Sequence, residues 1–195
     1  MDIFKLYFGL GVNHILDFES YDHILFIIAL TAVYLIKQWR QILILVTAFT
    51  IGHSTTLVLS TLNIINVNPD FIEFLIPITI IFTGFANIFV NNYSKINRKL
   101  YIIKYSTSIF FGLIHGLGFS SYLKSMLSAE DNLFTPLLAF NLGIETGQFL
   151  IVAIIIALSY IFVTKIKFPQ HDWVLLVSGA GIGIATILAF QRIYW

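Results

Sequence analysis

Four histidines and a few acids and amides interrupt a chain that otherwise reads as hydrocarbon: His14 with Asp22 and His23, His53 within Gly52-His53-Ser54, Glu73, His115 before Gly116, and Asn141 with Glu145 and Gln148. An ionisable side chain at the centre of a bilayer costs about 2.5–3.5 kcal/mol on insertion scales, so each marks a functional position by default. Imidazole and carboxylate together suit a divalent transition metal such as zinc, nickel, cobalt or iron. The chain has no Cys and two Met, which removes thiolate ligands and argues against Cu(I). The candidate ligands are His14, Asp22, His23, His53, His115 and Glu145, with Ser54, Glu73, Asn141 and Gln148 as groups that would orient them from behind. Ser54 and His53 do not read as a nucleophile and its base, because consecutive helical residues point ~100° apart. His171-Asp172, beside Lys167, reads as an ordinary loop, and Thr83 and Asn87 read as packing residues.

The elements that position these groups follow from composition. With 58% hydrophobic and 11% charged residues, the 195-residue chain is an integral membrane protein, and its mean hydropathy of +0.89 agrees. We expect one all-α helical membrane domain over 1–195, a polytopic bundle with lipids and a metal ion as partners. A net charge of +1 gives no sign of a nucleic-acid partner. Residues 2–18 lack a small-residue cleavage site and read as mature protein.

Apolar segments lie at about 3–17, 21–36, 41–61, 71–90, 102–122, 136–163 and 173–191, which predicts seven transmembrane helices. The first is short at roughly 1.5 Å per residue, so six full spans plus a partial one is the alternative. Lys and Arg cluster on alternate connections: Lys37 and Arg40, then Lys95, Arg98, Lys99 and Lys104, then Lys165 and Lys167, with Lys5 assigned to the same side. Lys124 and Arg192 fall opposite. The positive-inside rule then predicts a bacterial inner-membrane protein with a cytoplasmic N-terminus and an outer C-terminus, Trp39 and Trp173 at the inner interface and Trp195 at the outer. Counting along each helix puts His53, His115 and Glu145 between midplane and outer leaflet and His14, Asp22, His23 and Glu73 at outer helix ends, so one layer can hold them all. Asn141, Glu145 and Gln148 share a helix face, expected to point into the bundle. Gly112-x-x-x-Gly116, and Gly179, Gly181 and Gly183, predict close helix approach.

These segments resemble the HupE/UreJ family of membrane proteins over nearly the whole chain. The residues that carry the resemblance are His14 to Phe26, Phe49 to Leu57, Glu73 to Ile80, Phe111 to Phe119 and Asn141 to Gln148. The resemblance implies a nickel or cobalt permease, in which His14, Asp22 and His23 match the family's first histidine-and-acid motif and His53, His115 and Glu145 its later signatures. The better-known branch carries Pro after the first histidine and a shorter interval before the Asp-His pair. Here Ile15 follows and the interval is longer, as in a divergent branch. Two other readings stand beside the permease. One is an intramembrane zinc hydrolase with a metal-activated water and Glu145 or Asp22 as base; the other is an accessory protein with a structural metal site.

Overall fold

The structure, a computed structural model, describes residues 2–18, 21–90, 98–127 and 132–193; Lys95, Trp195 and the side chain of Lys99 lie outside the described residues. The described residues form helices without strands: α1 (Ile3–Leu16), α2 (Asp22–Thr31), α3 (Trp39–Thr61), α4 (Pro69–Ile88), α5 (Arg98–Gly118), α6 (Ser120–Leu127), α7 (Phe134–Ser159, extended by a π-helical turn over Tyr160–Lys165) and α8 (Gln170–Gln191). Five of them, α3, α4, α5, α7 and α8, are long and apolar enough to cross a membrane, whereas α1 and α2 are shorter. The second apolar segment therefore does not make one long helix. It stops at Thr31, and the Gln38 side chain accepts from the Leu35 N–H at 3.2 Å where the chain turns into α3.

Three helix pairs hold the bundle together, and two are carved by glycine. A Cβ on Gly52 would strike the Ile109 carbonyl, one on Gly112 the Phe49 carbonyl and one on Gly116 the His53 carbonyl, so only hydrogen lets α3 and α5 approach this closely. The contacts advance together along both helices, which makes the pair parallel. The same arrangement recurs between α1 and α7, where Gly11 meets Phe140, Gly143 meets Phe8 and Gly147 meets Ile15. The third pair, α4 with α8, is antiparallel: Gly84 packs on Ile182, Asn87 bonds Ser178, and Arg192 reaches back to the Glu73 carbonyl. Gly179, Gly181 and Gly183 do not act as expected, since a Cβ on any of them would meet nothing within 4 Å.

The direction of α1 also differs from the sequence expectation. Hydrogen bonds from Thr47 to Glu145 and from Ser54 to Asn141 set α7 antiparallel to α3, and α1 runs with α7. Tyr7 accordingly bonds Met126 of α6, while Lys124 of the same helix bonds Asn63, just past the end of α3. The α1 N-terminus thus lies on the side where α3 and α8 end, opposite the side that carries Lys37, Arg40, Arg98, Lys104, Lys165 and Lys167. After α1 ends at Leu16, α2 runs in the same direction: His23 faces His115, Phe26 faces Phe49 and Phe111, and the Ala29 carbonyl accepts from Asn87. Together α1 and α2 descend from one side to the other with an interruption between them.

Candidate metal centre

The interruption between α1 and α2 is where the histidines meet. His14 comes from the last turn of α1, His23 from the first turn of α2, and His53 from the face of α3 that packs on α5. One nitrogen of each lies within 4.8 Å of the others. Two nitrogens bound tetrahedrally to one zinc-like ion at ~2.1 Å each lie about 3.4 Å apart, so this spacing is of the order a shared ion requires. His115 stands next to them, its ring centroid 5.1 Å from that of His23. His53 and His115 are fully buried and His23 nearly so.

Each ring has a nitrogen left over. His14 Nε2, His23 Nε2, both nitrogens of His53 and His115 Nδ1 are buried without a hydrogen-bond partner. Leaving such an atom unsatisfied costs about 1–3 kcal/mol, and an ion among them would use the same lone pairs. Two tautomers follow from geometry. Asp22 Oδ1 lies 3.0 Å from His23 Nδ1 and accepts its proton, which leaves Nε2 with the lone pair. Thr79 donates its hydroxyl proton to the Ile76 carbonyl at 2.7 Å and so accepts from His115 Nε2–H at 2.9 Å, leaving Nδ1 with the lone pair.

A cavity of about 220 Å³ opens on this cluster from the side where α8 ends, lined by His14, Asp17, Asp22, His23, Glu73, His115 and Arg192. Three carboxylates at its wall make it attractive to cations. Arg192 Nη1 sits 3.0 Å from Asp22 Oδ2 and 3.4 Å from the Glu73 carbonyl. That carbonyl is available because Pro77, one turn on, has no N–H to donate to it. On the opposite side lies an aromatic cluster: Phe26 stacks on Phe49 with centroids 4.7 Å apart, and Phe111 meets Phe26 edge-on at 6.0 Å.

Not every expected residue joins the cluster. Glu145 bonds Thr47 at 2.9 Å, Gln148 bonds Thr50, and Asn141 bonds Ser54, all on the α7-facing side of α3. Glu145, Asn141 and Ser54 line a separate groove of about 330 Å³. Depth counting along the helices yields height but not azimuth, and the one expected layer divides around α3. Glu73 lines the cavity mouth. Gly116 abuts the His53 carbonyl, the close helix approach its spacing from Gly112 predicts. Thr79 and Arg192 were not among the expected site residues. Arg192 carried a signal all the same, as one of the two cations, with Lys124, that the sequence places opposite the Lys-rich side. Asn87, expected only to pack, is fully buried and bonds Ala29, Ser178 and Lys104, whose ammonium it receives at 3.0 Å.

No curated protein and no solved structure matches the chain. The family model described as HupE / UreJ protein matches residues 1–193, essentially its whole length. That family is associated with nickel and cobalt transport, and the histidine cluster is of a kind that could bind such a metal. A discontinuous pair of short helices, five long apolar ones and histidines gathered at the break accompany that match, and the chain belongs to the HupE/UreJ family.

Proposed function

We propose that the protein is a permease for a divalent transition metal, nickel or cobalt, and that His14, His23, His53 and His115 are its transit ligands, with Asp22 fixing His23. The observation that carries this reading is the placement of the unsatisfied imidazole nitrogens at the break between α1 and α2. Transporter sites typically lie near mid-membrane where a helix is discontinuous, because unwound backbone and helix ends are tolerated only around a cavity. Thr79, the partner of His115, lies near the middle of α4. We take α1 and α2 as two halves of one span, which makes six spans in place of seven.

The Lys-rich side is taken as cytoplasmic in a bacterial inner membrane. Both the start of α1 and the end of α8 then face outward, and so does the cavity. The arrangement is an outward-open one: acids at the mouth, imidazoles below them, and the Phe26, Phe49 and Phe111 cluster beneath as the closed gate. The ligands come from different rigid pairs, His14 from α1/α7 and His53 and His115 from α3/α5. Movement of one pair against the other would loosen the site and open the opposite side, which is how alternating access works in many such folds.

The hydrolase alternative is weaker, because Glu145 belongs to the other groove and both oxygens of Asp22 are engaged by His23 and Arg192. Uptake of radioactive nickel into liposomes containing the purified protein tests the proposal. Saturable uptake that is lost in His23→Ala and His53→Ala is expected. Tight metal binding without uptake would leave a structural or catalytic site instead.

A further inference from the structure

The groove between α3 and α7 plays no part in the histidine centre, yet it gathers more polar groups than packing explains. Thr47, Thr50 and Ser54 occupy one face of α3 and meet Glu145, Gln148 and Asn141 of α7. We propose that this groove is a sodium site, with the Glu145 carboxylate and the oxygens of Thr47, Thr50 and Asn141, which line it, as ligands and the buried Gln148 amide behind Thr50. Every donor is oxygen and there is a single carboxylate. That combination suits a hard monovalent cation, whereas transition metals favour imidazole and calcium sites usually recruit several carboxylates.

Two further observations point the same way. Among the described residues no cationic side chain pairs with Glu145, whose one hydrogen bond comes from Thr47. A carboxylate within a membrane-spanning segment is retained when something neutralises it, and a bound cation does so. The second concerns protons. Thr50 has one hydroxyl hydrogen but two oxygens within reach, the Val46 carbonyl at 3.1 Å and the Gln148 amide at 2.6 Å. If the hydroxyl donates to Val46, as helical threonines commonly do, the Gln148 amide turns and donates its N–H to Thr50. The buried, unpartnered amide atom of Gln148 is then its oxygen, with lone pairs to offer. Along α7 the groove extends from Leu138 to Glu145.

Occupancy would set the spacing of α3 and α7, and α3 also carries His53, so sodium binding would tune the metal centre. That coupling rests on the permease reading; the sodium site itself does not. The test is equilibrium binding of radioactive sodium to the purified full-length protein in choline chloride, with no transition metal present. Saturable binding near one ion per chain is expected, weakened at least tenfold in Glu145→Gln and several-fold in Thr47→Val, and poorly displaced by potassium. No saturable binding, equal displacement by potassium, or unchanged binding in both variants would overturn the proposal. Should Glu145→Gln misfold by circular dichroism, Thr47→Val alone decides. Nickel uptake with and without a sodium gradient reads the coupling separately: sodium binding with no nickel uptake leaves the site standing and removes the permease.

Discussion

Thr79 accepts the Nε2 proton of His115 because its own proton is committed to the Ile76 carbonyl one turn back in α4. This relationship fixes which nitrogen of His115 faces the cluster. Thr79→Val keeps the volume and removes the acceptor, so the ring loses its preferred tautomer. Calorimetric nickel titration should show affinity falling about 10–100-fold, the range for groups that orient a metal-binding histidine, with Thr79→Ser retaining most of it. An unchanged affinity in Thr79→Val would place His115 outside the site.

Loss of a ligand should cost more. His23→Ala and His53→Ala are expected to weaken nickel binding by on the order of 100-fold or more, since both lie in the group with nitrogens within 4.8 Å of one another. His171→Ala should bind as the parent does. Elemental analysis of protein purified after metal loading is the measurement.

Arg192 holds Asp22 in a charge pair at the cavity mouth and competes there with an incoming cation. Arg192→Gln should raise nickel affinity by on the order of tenfold and make association more sensitive to salt, because the mouth becomes more negative. Stopped-flow binding at two ionic strengths reads both effects, and weaker binding would mean that Arg192 serves to build the site and not to guard it.

Gly112→Ala puts a methyl group on the Phe49 carbonyl and forces α3 from α5. A loss of about 1–3 kcal/mol is expected from overpacking of this kind, with nickel binding lost because His53 and His115 part. Gly183→Ala, which meets nothing within 4 Å, should stay within about 0.5 kcal/mol of the parent. Thermal unfolding in detergent distinguishes them.

The direction of α1 is open to labelling, because the chain has no Cys of its own. Lys5→Cys and Lys124→Cys should both react with an impermeant maleimide from outside intact cells, and Lys37→Cys should not. Protection of Lys5→Cys alone would restore a cytoplasmic N-terminus.

Much of the molecule is legible in its sequence for a simple reason: a bilayer penalises polarity, so every retained histidine and acid stands out against an apolar background. The all-helical membrane class, the Lys-rich side and the prominence of His14, Asp22, His23, His53 and His115 follow from composition and position along the chain. Azimuth and direction do not. Glu145 sits on a polar stripe that could have faced either side of α3, and packing turned it towards Thr47 while His53 faces α5. The short α1 could have entered from either side; Gly11 of α1 and Gly143 of α7 chose one, because close backbone contact is available only in that register. Which residues are too costly to be idle can be read from the chain, since that cost is a property of each side chain in lipid. Which of them meet depends on how helix surfaces interlock, and that emerges in the packed bundle.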